Sequence, residues 1–188
     1  MKSIKNTAVT ATFIIITIMI VATAAGKLIN ITKLVCSSNT ILHISDYWKL
    51  VSSIFVHSNP EHLITNAIGL FAISIMLNKK HSGTSFIALF LISGTLTNLL
   101  ICIYCYFMEY FFYLSGCSGS LFFFLPVLIT LIFKSKTIPI FVKAVTIIFF
   151  VYSFYISYYK DIVSFLSHII GFILGIIYCT YYLRFARK

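Results

Sequence analysis

A serine and a histidine, Ser118 and His168, each lie in a long apolar run of this chain, and together they could carry out acyl transfer. The serine is set in Gly116-Cys117-Ser118-Gly119. The histidine opens His168-Ile169-Ile170-Gly171, with Gly175 four residues further on. A serine hydroxyl is a poor nucleophile until a neighbouring base accepts its proton, and an imidazole can be that base. His168 is the only histidine in the last three apolar runs, and no acid lies near either residue at the same depth. The pattern therefore predicts a dyad. Acyl transfer also needs donors for the negative charge that develops on the attacked carbonyl oxygen. The N–H of Ser118 at a helix start is one candidate, because early helical N–H groups lack intrahelical partners. The side chains of His62 and Asn66 are two more, one helical turn apart on one face. Gly116 and Gly119 allow a tight turn into the helix. Gly171 and Gly175 form a small-xxx-small face on which another helix can pack closely.

Each residue also has a plainer reading. A serine in a membrane helix often bonds its own backbone, and a lone buried histidine often serves packing. His57 is read as a structural hydrogen-bonding residue that shapes the outer loop, and Asn98 as a tie between helices. His43 and His81 are read as surface residues. His57, His62 and His168 could in principle converge on zinc, but no HExxH or similar signature is present, and no metal or cofactor is expected. The cysteines, at 36, 102, 105, 117 and 179, are odd in number. Cys102 and Cys105 have CxxC spacing inside a predicted helix without a second pair, so all are read as buried thiols outside any disulfide framework.

The elements that position these groups must be membrane helices. The chain has 188 residues, of which 60% are hydrophobic and only 10% charged, with mean hydropathy +1.03. A soluble domain carries about a quarter charged residues to cover its surface. The length allows one domain, 1–188, of about six spans of ~20 residues. The apolar runs fall at 8–26, 60–77, 85–107, 118–133, 138–158 and 162–183, and the expected fold class is an all-α six-helix membrane bundle. The segment 27–49 reads as an amphipathic outer loop lying in the interface, with Tyr47 and Trp48 at headgroup level. Ser58 or Asn59 can cap the second span, with Pro60 at its first position and Glu61 in its first turn.

The net charge of +10 has a topological explanation. With both termini cytoplasmic, Lys2, Lys5, Lys79, Lys80, Lys134, Lys136, Lys143, Arg184, Arg187 and Lys188 fall inside, against Lys27, Lys33, Lys49 and Lys160 outside. Asp46, Glu61, Glu109 and Asp161 all fall outside. The basic balance thus needs no nucleic acid; the expected surroundings are a lipid bilayer. Ala22-Thr23-Ala24 resembles a signal-peptide cleavage site, yet the preceding run is too long for a typical leader, so the first span is expected to be retained. This orientation brings Ser118 and His168 to similar depths from the outer side. A sixteen-residue fourth run starts with the serine below the surface, and His168 lies about 9 Å into the last span.

At this point the residues resemble the rhomboid family of intramembrane serine proteases, over about Asp46 to Gly175. The segment from Tyr47-Trp48-Lys49 to His57 is similar to the family's Trp-Arg approach to the second span. His57, His62 and Asn66 fit its HxxxxHxxxN pattern. Gly116-Cys117-Ser118-Gly119 fits GxSG, and His168 to Gly175 fits HxxGxxxG. The resemblance implies Ser118 as nucleophile and His168 as general base, with His62 and Asn66 as oxyanion donors and His57 as structural. It implies Phe122 as an aromatic packed on the imidazole, and Trp48, Gly116, Gly119, Gly171 and Gly175 as support. The substrates implied are transmembrane proteins, cut near the outer ends of their helices. The setting implied is the inner membrane of a bacterium, with the active site open to the outer side. A similarly short variant, the rhombosortase type, processes C-terminal membrane anchors. Two departures stand out: Lys49 replaces the family's arginine, and Phe123 and Pro126 stand where small residues are frequent. Bulk there is expected to loosen the packing of the fourth span on Gly171. The alternatives are an inactive relative that binds membrane clients and a small transporter using the histidines.

Overall fold

In a computed structural model the chain is described over residues 7–78, 81–134 and 139–185. Lys2, Lys5, Lys79, Lys80, Lys136, Arg187 and Lys188, part of the inside-positive expectation, lie outside the described residues. The side chains of Lys134, Lys160 and Arg184 do so too.

Seven α-helices follow one another among the described residues: α1 (Ala8–Ile29), α2 (Lys49–Phe55), α3 (Pro60–Leu77), α4 (Gly83–Phe107), α5 (Ser118–Lys134), α6 (Ile140–Lys160) and α7 (Ile162–Phe185). Six of them coincide closely with the apolar runs, because an uninterrupted apolar run satisfies its backbone only as a helix when water is excluded. α1, α3, α4 and the stretch Ile162–Tyr181 of α7 are long and apolar enough to cross a membrane; α5 and α6 carry shorter apolar stretches, Ser118–Phe133 and Lys143–Tyr159. Ile14, Ile18 and Val21 of α1 and Ile64, Ile68 and Ile75 of α3 are exposed at helical spacing, an apolar outer face that fits lipid rather than water.

Helix ends follow local chemistry. Asn59 caps α3 by accepting from His62 N at 2.8 Å, with Pro60 opening the helix and Glu61 in its first turn. Asp161 caps α7, accepting from Val163 N at 3.0 Å, from Ser164 N at 3.2 Å and from Ser164 Oγ at 2.7 Å. The connection between α1 and α3 is more structured than an interfacial loop. It holds three short 3-10 turns, a two-residue strand β1 (Cys36–Ser37) and α2. β1 pairs antiparallel with β2 (Tyr113–Leu114), which joins this connection to the segment before α5.

Among the described residues, α5 and α7 form the most extensive helix pair. A methyl group on Gly171 would collide with the Gly119 carbonyl oxygen, and one on Gly175 with that of Phe123. The expected loosening by Phe123 and Pro126 is therefore not what the packing shows. Gly175 receives the Phe123 backbone and the Pro126 ring edge, while the Phe123 ring leans on Phe124 and Tyr178 at 5.3 Å each. α5 is buried deeply, its Phe122, Phe124, Leu128 and Ile132 each at most 2% exposed. α6 leans on α7 and only lightly on α5.

Candidate active site

A cavity of about 510 Å³ opens between α3, α5, α6 and α7, and its walls include Ser118, His168, His62 and Asn66. Four candidates from three separate helices thus meet in one space. Ser118 is half-buried at the first position of α5, following the buried Cys117. The chain reaches it through Gly116 at φ +105, a conformation that side chains rarely adopt. Gly116 N–H donates to Ser53 O of α2 at 2.8 Å, so the short helix missing from the sequence reading anchors the turn before the serine. Ser53 Oγ also accepts from Cys36 N at 2.9 Å, tying β1 to the same point. Gly119 sits against Thr97 of α4, where a methyl group would come within 2.7 Å of Thr97 Cγ2.

His168 is 6% exposed on α7. The Phe122 ring stacks on it at 4.1 Å and 16°, and Phe154 meets it edge-on at 5.9 Å and 87°. Phe122 lies four residues after Ser118, so α5 offers the hydroxyl and the stacking ring on one face. The third side of the imidazole is Ser157 of α6, whose Oγ lies 3.1 Å from His168 Nδ1. Among the described residues no hydrogen bond joins Ser118 to His168.

His62 and Asn66 border the cavity from α3. Ser58 Oγ lies 3.4 Å from His62 Nδ1, so a donating hydroxyl leaves the ring proton on Nε2. That Nε2 lies 2.9 Å, and Asn66 Nδ2 3.2 Å, from where a Cβ on Gly116 would stand. Asn66 is 4% exposed, and its Nδ2 lies 3.0 Å from His57 Nε2. His57 is 1% exposed; its Nδ1 is 3.2 Å from Phe55 O, and its backbone N donates to Thr23 Oγ1 of α1 at 3.1 Å. Burial, with the neighbouring His62 second, pushes the His57 imidazole down to about 4. Its ring is neutral at ordinary pH.

The remaining candidates lie further out. Trp48 is 49% exposed just before α2, beside an exposed Tyr47 whose hydroxyl donates to Ile41 O at 3.2 Å. Lys49 pairs with Asp46 at 2.9 Å. Asn98 donates to Leu50 O at 2.8 Å, a tie from α4 to α2. His43 is exposed and His81 half-buried. All five cysteines are free and buried.

Ser157, which meets the His168 imidazole, and Ser58, which meets the His62 ring, escaped the sequence reading as site residues. Ser58 belonged to the helix cap, and Ser157 carried no motif. A signal for Ser157 was present, since Ser153 and Ser157 put hydroxyls four residues apart on one face of an apolar helix, and both border the cavity.

The arrangement sets a hydroxyl, an imidazole and two further side chains that carry N–H groups around one cavity, the groups that acyl transfer calls for. Residues 45–185, well over half of the chain, match the family profile of the Rhomboid domain. No curated protein matches the sequence.

Proposed function

This chain belongs to the rhomboid family of integral membrane proteins, and from that premise we propose that it is an intramembrane serine protease using Ser118 and His168. The observation that carries the reading is the shared cavity: proposed nucleophile, base and both side-chain donors border one space. In the mechanism, His168 Nε2 takes the hydroxyl proton as Ser118 Oγ bonds to the carbonyl carbon of the scissile peptide. The new oxyanion accepts from the Ser118 N–H, His62 Nε2–H and the second Asn66 N–H. Collapse breaks the C–N bond, and His168 returns its proton to the departing amine. Water then attacks the acyl-serine with His168 again as base, releasing the acid and restoring the hydroxyl.

The substrates on this reading are transmembrane helices, cut near the outer face. A scissile carbonyl inside a helix already accepts an N–H, so helix-weakening residues beside the bond favour cleavage. The six long helices would all cross the bilayer, with both termini inside and the cavity open outward, in a bacterial inner membrane. A narrower role fits the same chemistry, that of a rhombosortase-type processor of C-terminal anchors. One observation favours the second reading, a client-binding relative without turnover: Ser118 and His168 are not hydrogen-bonded to each other. Catalytic hydrogen bonds commonly tighten only when substrate binds, so the protease reading stands first.

The test is labelling of the detergent-solubilised protein with a fluorophosphonate serine probe. Wild type is expected to label, and Ser118→Ala and His168→Ala to lose it. A folded wild type that resists the probe would overturn the protease reading in favour of client binding.

A further inference from the structure

A histidine acts as base through one ring nitrogen only if its other nitrogen carries the proton, so something must set the tautomer. A carboxylate commonly does this. Here Asp161 borders the cavity, yet its oxygens are taken up by Val163 and Ser164 at the start of α7.

We propose that Ser157 is a positioning residue, whose hydroxyl oxygen accepts the His168 Nδ1–H and so leaves the Nε2 lone pair to receive the Ser118 proton. Ser157 Oγ lies 3.1 Å from His168 Nδ1 and 2.9 Å from Phe154 O. A serine hydroxyl has one proton, and a carbonyl oxygen can only accept. The Ser157 proton therefore goes to Phe154 O, and the contact with the ring is made by the Nδ1–H. The resulting chain runs from His168 Nδ1–H to Ser157 Oγ–H to Phe154 O.

Several features make this more than a serine folded back on its helix. Ser153, one turn earlier, makes the same back-bond to Phe149 O at 2.9 Å. Ser157 alone adds a bond to the imidazole. Both partners are largely buried, Ser157 at 7% and His168 at 6% exposure, at the wall of the cavity. Phe122 and Phe154 hold two sides of the ring, and the hydroxyl selects the edge that points at α6. When His168 gains the Ser118 proton, the Nδ1–H becomes part of an imidazolium, and a charge-assisted hydrogen bond is stronger than a neutral one. The contact thus strengthens as the transition state forms, which places its effect in kcat rather than KM.

The inference rests on the protease reading for its consequence, but the tautomer is measurable without turnover. Protein labelled with 15N-histidine in micelles gives ring nitrogen shifts that separate the two tautomers, with His168 assigned by loss of its signals in His168→Gln. Wild type is expected to show Nδ1–H alone, and Ser157→Thr to retain it. Ser157→Val, which has the shape of threonine without the hydroxyl, is expected to show a mixture or Nε2–H. On a fluorogenic transmembrane peptide, Ser157→Val should lose about tenfold or more in kcat with KM within about twofold, and Ser157→Thr should recover most of it. An Nε2–H ring in the wild type, or a Ser157→Val protein with wild-type tautomer and kcat, overturns the proposal. Failure of the serine probe to label wild type sinks the protease reading instead, and leaves the tautomer measurement to judge Ser157.

Discussion

Asn66 Nδ2 lies 3.0 Å from His57 Nε2, so an amide at the cavity wall is held by a ring from the loop that precedes its own helix. With His57 Nδ1 beside the Phe55 carbonyl, that ring must donate from Nδ1 and accept at Nε2. One Asn66 N–H is thereby engaged, and the other is left for the cavity. The neutral ring also prevents the amide from turning its oxygen inward, because an Asn66 oxygen facing Nε2 would meet a lone pair.

His57→Leu removes that acceptor and leaves a buried amide N–H unpaired. The expected loss of stability is about 1–3 kcal/mol, read as a lower Tm in detergent, together with lower turnover because Asn66 is no longer oriented. His57→Gln, which can present an oxygen to Asn66, should recover part of both. Equal loss in the two variants would mean that the ring acts through packing alone.

The same residue makes stability depend on pH. Burial lowers the His57 pKa from 6.5 to about 4, so above 6.5 the ring is neutral both folded and unfolded. As pH falls from 6.5 towards 4, the unfolded chain binds a proton that the folded one refuses. The native state then loses up to about 3 kcal/mol. His62, whose ring is 5.0 Å away, adds repulsion if it is charged. A series of melting curves from neutral pH downward should show Tm falling, and less steeply for His57→Gln. Identical slopes for the two proteins would contradict the assignment.

Gly116 and Gly171 should fail in different ways. Gly116→Ala forces a side chain into φ +105 and brings a methyl within 2.6 Å of His62 Cε1. The strain is about 1–3 kcal/mol. Displacing two proposed oxyanion donors should lower kcat by about a hundredfold or more in a protein that still folds. Gly171→Ala instead drives a methyl into the Gly119 carbonyl and pushes α7 off α5, costing about 1–3 kcal/mol or more. Its Tm and its serine-probe labelling should fall together. A Gly171→Ala protein of wild-type Tm would show that the helices can separate at little cost.

Much of this was legible beforehand. The six long helices followed from uninterrupted apolar runs, and the start of α3 from Asn59, Pro60 and Glu61, because caps and apolar length act locally. The convergence of Ser118, His168, His62 and Asn66 was expected from motif order and depth. α2 was not expected: seven residues are too few for a period to declare itself, and its role is to hold Gly116 through Ser53. The two-residue pairing of β1 with β2 was invisible for the same reason. The expectation that Phe123 and Pro126 would loosen α5 failed because it counted side-chain volume without direction. Phe123 turns its ring to Phe124 and Tyr178 and gives Gly175 only its backbone.

Composition and spacing alone therefore pointed to a membrane-embedded helical chain carrying a serine, a histidine and two further polar side chains, His62 and Asn66, in its apolar runs. Those properties depend on the residue types themselves, on the cost of burying polar groups and on the rise of a helix. Which nitrogen of His168 is free, which way the Asn66 amide faces and how closely α7 approaches α5 were settled by folding. Each depends on the rotation of one helix about its axis against another, and on contacts as distant in sequence as Ser157 with His168 and Gly119 with Gly171. Apolar periodicity is nearly uniform around these helices, since lipid accepts the outer face as readily as the core accepts the inner one. Helix rotation is then set by where glycines let backbones meet and where buried polar atoms find partners, and both arise only once the helices pack.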